Sequence, residues 1–316
     1  MSSRTIGLFP FALLTLACCT PAPQGGSPAS AEPAASGQAA MPDMTPNVLF
    51  IGYDVVDLSV TVHENYPAHW GVYPPFQRWT YNWFNQQKNQ YGNAWMYSEG
   101  PFYGQRYVID EHTGTQSDFP AHFVPPPNSG LPGAGPMGVV TGDKYPLDRM
   151  MGPAAVIDVT AIRDQAENGK SAVITVDMVK QWERKHGDIK AGEVVLFHSG
   201  YTDAYYKPMP EGRRLTFEPL VTKTKPGWPA PAPEVMEYLN KKGVWHLGID
   251  GASMGPVEGG QAVHVAGLGR GMSWEEMLTV LGKLPPRGAF YVALGVKVAD
   301  QSGSISRAIA FVPKKK

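Results

Sequence analysis

Apolar and polar positions alternate or run together in short blocks along most of this chain, and each block carries its own punctuation. NVLFIGYDVVDLSVTV, from Asn47 to Val62, predicts a strand with a break at Gly52. AAVIDVTAI (Ala154–Ile162), GEVVLFHSG (Gly192–Gly200) and GVWHLGID (Gly243–Asp250) are nearly unbroken apolar runs, the pattern of strands buried on both faces. AFYVALGVKV and SISRAIAFV predict closing strands near the C-terminal end. TVDMVKQWERKHG changes to a helical period: Met178, Val179 and Trp182 share a face, Thr175 can cap it and Gly187 ends it. APEVMEYLNKKG predicts a short helix entered through Pro233 and left at Gly243. SWEEMLTVLGKL predicts a third helix, with Ser273 and Glu276 spaced as a capping box. Strands mixed with a few helices, without internal repeats, predict a single α/β domain.

Two segments resist this reading. An aromatic-rich stretch holding Trp70, Tyr73, Trp79, Tyr81, Trp83 and Phe84 has no clean period, so its rings serve either a core or a pocket. VPPPNSGLPGAGPMG is a Pro/Gly loop. At the N-terminus, IGLFPFALLTLA follows Arg4 and is too short to span a bilayer, which predicts a signal peptide over residues 1–17. The small residues before Cys18 resemble a lipobox, with Thr15 in place of the usual Leu, and Cys18 is the expected lipidation site; an ordinary secretory signal cut nearby is the alternative. A Pro/Ala/Gly/Ser-rich linker over 18–45 would tether a folded domain over 46–316. Either reading exports the protein, to the periplasm or as an outer-membrane-anchored lipoprotein.

Composition narrows the chemistry. The 316 residues are 43% hydrophobic and 17% charged, enough for a sizeable core, and the formal net charge of -1 gives no electrostatic reason to expect nucleic acid. Both cysteines, Cys18 and Cys19, precede the folded part, which leaves it no disulfide and no thiol nucleophile. A metal site there must use His, Asp, Glu or amide oxygens.

DEHTGTQSDFPAHF, from Asp110 to Phe123, offers such groups. Gln116 and Asp118 fall on one side of an extended backbone, and a turn at Gly114 can return His112 to the same point. The spacing alone is equally compatible with a hydrogen-bonded loop. Glu276 reads as a helix cap or as a ligand, with Glu275 as its rival, and His264 alone reads as a structural histidine. GASMG, from Gly251 to Gly255, fits G-x-S-x-G, but Pro256, Gly259 and Gly260 argue against the helix that a Ser253 nucleophile requires.

The motif resembles the signature H-x-G-T-H-x-D-x-P-x-H of the putative cyclase family of metal-dependent hydrolases, which includes bacterial kynurenine formamidase and isatin hydrolase. His112, Gly114, Thr115, Asp118, Pro120 and His122 match, whereas Gln116 stands where the family usually has His. Asp57, Leu58, Ser59 and Trp70 lie in a segment similar to the family's opening one. GEVVLFHSGY and GIDGASMGPVE are similar to two further segments, with Gly255 in place of a usual Asp. His264, Gly271 and Glu276 fall on the spacing of the family's second metal-binding half.

The resemblance implies a swivelling β/β/α-type fold, a mixed barrel-like sheet with peripheral helices. It implies His112, residue 116 and Asp118 at one metal position, and Asp118, His264 and Glu276 at a neighbouring one, with one or two Zn²⁺ or Mn²⁺ ions. The bound metal would acidify water and polarise an amide, formamide or lactone carbonyl. His122 would shuttle the proton, or else orient a ligand, and Trp70 would contact a small-molecule substrate. The same resemblance implies a homo-oligomer. Two other expectations stand beside this one: a lactone or ester hydrolase on the same site, and a lipid-anchored protein that binds metal or ligand without catalysis.

Overall fold

The computed structural model describes residues 51–68, 70, 75–84 and 102–314. The expected signal segment, Cys18, Cys19, the expected linker and Tyr73 lie outside these residues. The described residues form one compact unit.

Among the described residues, twelve strands run in chain order as β1 (Tyr53–Asp57), β2 (Gln77–Trp83), β3 (Tyr103–Val108), β4 (Gln116–Asp118), β5 (Met151–Asp158), β6 (Val173–Ile174), β7 (Val194–His198), β8 (Ala230–Pro231), β9 (His246–Ile249), β10 (Ser273–Glu276), β11 (Phe290–Gly295) and β12 (Gly303–Pro313). The helices are α1 (Val176–His186), α2 (Tyr201–Tyr205), α3 (Pro233–Lys241) and α4 (Gln261–Leu268). An eight-stranded sheet has the order β1-β12-β11-β5-β7-β9-β10-β4, and an added pairing of β12 with β4 closes seven of these strands into a barrel-like ring, leaving β1 outside. β5, β7, β9 and β10 run parallel, and the remaining joins are antiparallel. Among the described residues no helix is long and apolar enough to cross a membrane.

The unbroken apolar runs are explained by burial on both faces. Ala155, Ile157, Val195, Phe197, Leu247 and Ile249 face α1, α3 and α4, with Val179, Trp182, Val235, Leu239 and Val263 opposite. Their neighbours Ala154, Val156, Val194 and Leu196 face the ring's interior, where Ala293, Ala308 and Ala310 keep the space narrow. The α1 helix begins as its sequence predicts, the Met178 N–H donating to Thr175 Oγ1 at 3.3 Å.

One element differs from expectation. Ser273–Glu276 is a strand, all four residues buried, and not the start of a helix. It lies between β9, parallel, and β4, antiparallel. Two completed ladders outweigh the helical propensity of Glu-Glu-Met-Leu, a weak local preference. The neighbouring helix is α4, which carries His264 just upstream. The capping box is therefore absent: the Ser273 N–H donates to the Trp245 carbonyl at 2.9 Å, and Glu276 is engaged elsewhere.

The same strand pair contains an acid-sensitive group. His246 is 1% exposed, and its Nδ1 lies 2.8 Å from Ser273 Oγ. Burial pushes its pKa from the ordinary 6.5 down to about 3. The folded chain therefore resists a proton that the unfolded chain accepts. Its contribution to stability is complete above pH 6.5 and is lost as pH falls toward 3. Urea titrations between pH 6 and 4 should show unfolding free energy falling by up to ~1.4 kcal/mol per pH unit more in the wild type than in His246→Gln. Identical slopes would show that His246 is not the group responsible.

Candidate metal centre

The motif's local geometry follows from two glycines. Gly114 has φ +68°, and its N–H donates to the Ala68 carbonyl at 2.5 Å, which turns the chain so that His112 folds back over β4. Gly303, opposite Asp118 on β12, leaves the space that the His112 ring fills; any Cβ there would collide with that ring.

β4 is three residues long and fully buried. Its alternation sends Gln116 and Asp118 to one face and Ser117 to the other. Glu276 lies directly across from Gln116, and Trp274 across from Asp118. Cross-strand contacts follow from this register: Gln116 Nε2 donates to Glu276 Oε2 at 3.0 Å, and Trp274 Nε1 donates to Asp118 Oδ2 at 3.1 Å. Glu275 points to the opposite face, where the Ser117 hydroxyl donates to it at 2.6 Å, and it takes no part in the cleft.

The two distant halves of the sequence meet here. His112, Asp118 and His122 form one group of candidate ligands, and Asp118, His264 and Glu276 form another, each with donor atoms within 4.8 Å of one another. His112 Nε2 lies 3.5 Å from Asp118 Oδ1. His264 Nε2 lies 3.4 Å from Asp118 Oδ2 and 3.7 Å from Glu276 Oε1. Two ligand atoms each ~2.1 Å from one tetrahedral ion are ~3.4 Å apart, so these spacings fit a shared cation. His122 Nε2 is 3.9 Å from Asp118 Oδ2, and its ring stacks on His112 with centroids 4.1 Å apart.

The unpaired atoms support the same fit. Buried His112 Nε2, Gln116 Oε1 and Asp118 Oδ1 have no hydrogen-bond partner. Buried polar atoms are rarely left in this state, and all three are groups that bind divalent cations. His264 Nδ1 lies 2.8 Å from the Gly260 carbonyl, which can only accept, so Nδ1 carries the proton and Nε2 faces the two carboxylates.

The electrostatics reflect this crowding. Burial would raise the Asp118 carboxyl, but His122, His264 and His112 around it hold it well below the usual range. Burial, together with the neighbouring imidazoles, lowers His122 to about 4 against the attraction of Asp118. Burial would also lower His264, yet Asp118 and Glu276 raise it to about 10. Burial and the Asp118 charge push Glu276 upward.

Above these groups lies a cleft of about 270 Å³, bounded by Trp70, Phe123, Leu220, Trp228, Ser253 and Gln261 as well as by the ligand candidates. Trp70 and Trp228 meet edge to face at 5.8 Å, and Phe123 lies 4.2 Å from the His264 ring. Trp79, Tyr81, Trp83 and Phe84 lie elsewhere, exposed on or beside the antiparallel pair β2 and β3. Ser253 follows β9 with no helix before Gln261, and its hydroxyl donates to Glu276 Oε1 at 3.1 Å, which is not the arrangement of a nucleophile elbow. Sequence reasoning missed Trp228, Phe123 and the Met254 N–H, which donates to Glu276 Oε1 at 2.6 Å. Only the alternation of Trp274 with Glu276 could have signalled a strand aimed at the site.

A closed mixed sheet carries two imidazole–carboxylate groups that share one aspartate, a candidate metal-binding centre. Residues 56–256 match the family described as Putative cyclase, and the chain belongs to that family. It is 29% identical to isatin hydrolase of Roseibium aggregatum over 231 residues, 69% of this chain and 78% of that protein. Among solved structures, it resembles an isatin hydrolase bound to the product analogue thioisatinate (TM-score 0.65, 25% identity, 83% of this chain and 94% of that one). Isatin hydrolase A from Ralstonia solanacearum is similar at TM-score 0.64 and 25% identity, over 85% of this chain and 98% of the other.

Proposed function

We propose that this protein hydrolyses the carbonyl–nitrogen bond of a small cyclic amide, with an aromatic-fused ring such as isatin as the first candidate. The observation that carries the reading is the meeting of His112, Asp118, His264 and Glu276 at the base of a cleft walled by Trp70, Trp228 and Phe123. Resemblance to isatin hydrolase supports the substrate class.

A divalent cation held by these residues would acidify water and polarise the carbonyl. The chain's own groups do the rest. Trp70 and Trp228, in contact with each other, form an aromatic wall against which a planar ring can lie, and this apolar lining excludes bulk water. His122, part-exposed at 26% beside Asp118, takes a proton from the attacking water as the C–O bond forms. It returns that proton to the leaving nitrogen as the C–N bond breaks. The ring opens to an amine and a carboxylic acid, which releases its proton to solvent and leaves as the carboxylate.

Purified protein loaded with Mn²⁺ or Zn²⁺ should turn over isatin faster than aryl formamides or lactones. His122→Ala should lower turnover by roughly 10²–10⁴-fold while leaving metal content unchanged. Lactone turnover with no cyclic-amide turnover would sink the substrate reading, and full activity in His122→Ala would sink the proton-shuttle role.

A further inference from the structure

Gln116 stands where the family signature has His, and the two ends of its carboxamide have different surroundings. The N–H end faces Glu276 Oε2 at 3.0 Å. The opposite orientation would set the amide oxygen against a carboxylate oxygen, so Glu276 fixes which end points where. The oxygen end is consequently turned away, and Oε1 is buried without a partner. Gln116 shares a face of β4 with Asp118, whose Oδ1 and the facing His112 Nε2, 3.5 Å apart, are likewise without a hydrogen-bond partner.

The second corner is built differently. Asp118 and Glu276 bring two carboxylates, and His264 has its Nδ1 proton engaged by Gly260 and its Nε2 toward both. Donors orient the carboxylates from outside, Trp274 on Asp118 and Gln116, Ser253 and Met254 on Glu276. Such outer contacts fix ligand orientation and strengthen metal binding. With His122 kept for proton transfer, the first corner has a single carboxylate, shared, plus the His112 imidazole and a neutral amide oxygen. Amide oxygen is a harder and weaker donor than imidazole and suits Mn²⁺ or Mg²⁺ better than Zn²⁺.

We infer that Gln116 divides the centre into two unequal sites: a tight one at Asp118, His264 and Glu276 that accepts Zn²⁺, and a weaker one at His112, Gln116 and Asp118 that prefers a hard cation such as Mn²⁺. This inference rests on the cleft being the metal-dependent site proposed above. The chain then works as a mixed-metal centre, and the composition of that centre is set by one side chain. Gln116 acts twice, as an oxygen ligand in one corner and as a positioning residue for Glu276 in the other.

Metal titration tests this without any substrate. Calorimetry on metal-stripped full-length protein should show one tight Zn²⁺ per chain and a second Zn²⁺ at least ~10-fold weaker. Protein holding one Zn²⁺ should then bind one Mn²⁺, read as a mononuclear Mn²⁺ signal by electron paramagnetic resonance. In Gln116→His, two Zn²⁺ should bind with similar affinity and exclude that Mn²⁺ signal. In His264→Asn, the tight Zn²⁺ should be lost. Two equivalent tight Zn²⁺ ions in the wild type, a total of one cation or none, or tight Zn²⁺ retained in His264→Asn would each overturn the inference. Unequal sites in a protein that hydrolyses no cyclic amide would sink the proposed function and leave the inference standing. Turnover by a protein with equivalent sites would do the reverse.

Discussion

Asp118→Asn is expected to remove cation binding at both corners and with it nearly all turnover. Asp118 is 1% exposed at the centre of the cleft, and its two oxygens face different partners. Oδ1 faces His112 Nε2 at 3.5 Å, and Oδ2 faces His264 Nε2 at 3.4 Å. No other carboxylate takes part in both groups of candidate ligands. The isosteric amide removes the negative charge that both corners share. It can still accept from Trp274 Nε1, which donates to Asp118 Oδ2 at 3.1 Å, so the fold should survive. Metal catalysis supplies several kcal/mol of transition-state stabilisation, and its loss corresponds to roughly 10³–10⁵-fold in rate. Elemental analysis after dialysis, turnover and a thermal melt should be measured together. Near wild-type melting with metal and activity both lost is the expected result. Retention of wild-type metal content would show that the cation is held without Asp118, contrary to the geometry.

Much of this architecture was legible as sequence because the informative pattern was local. Unbroken apolar runs marked β5, β7 and β9, and Thr175 with a helical period marked α1. His112, Asp118, His122, His264 and Glu276 were each legible as residues, but only the resemblance joined the two halves, because nothing in one strand shows what will lie beside it. Ser273–Glu276 was misread for the same reason. Its helical propensity is intrinsic, whereas its strand identity comes from β4 and β9, far away in the chain. The dual role of Gln116 is likewise a matter of register: the side chain could be noticed as an exception, but its contact with Glu276 exists only once β4 and β10 are paired. Trp228 and Phe123 carried no signal at all, since an aromatic in a pocket wall and an aromatic in a core look alike in sequence.

Asp250→Ala should destabilise the fold by roughly 3–5 kcal/mol, since it strands several buried donors together. Asp250 follows β9 and is completely buried. Its carboxylate accepts the Ser199 N–H at 2.8 Å, the Gly200 N–H at 2.6 Å and the Ser199 hydroxyl at 2.5 Å. Its own carbonyl accepts the Thr202 N–H at 2.9 Å and the Thr202 hydroxyl at 2.6 Å, which ties in the start of α2. Gly200 there has φ +70°, a left-handed turn that the carboxylate holds in place. Alanine leaves two backbone N–H groups without partners where water cannot reach them. Asparagine does not repair this, because its NH₂ end would face at least one of the same donors. Three and four residues beyond Asp250 come Ser253 and Met254, donors that orient Glu276, so the clamp connects the ends of β7 and β9 to the candidate metal centre. Urea denaturation should give a midpoint well below wild type for Asp250→Ala, with Asp250→Asn between the two. In a chain of this size ~1 kcal/mol moves the melting temperature by roughly 2–4 °C, so a fall of about 10 °C is expected. A loss under ~1 kcal/mol would mean that water or a rearranged loop satisfies those donors, and that the clamp does not hold the site.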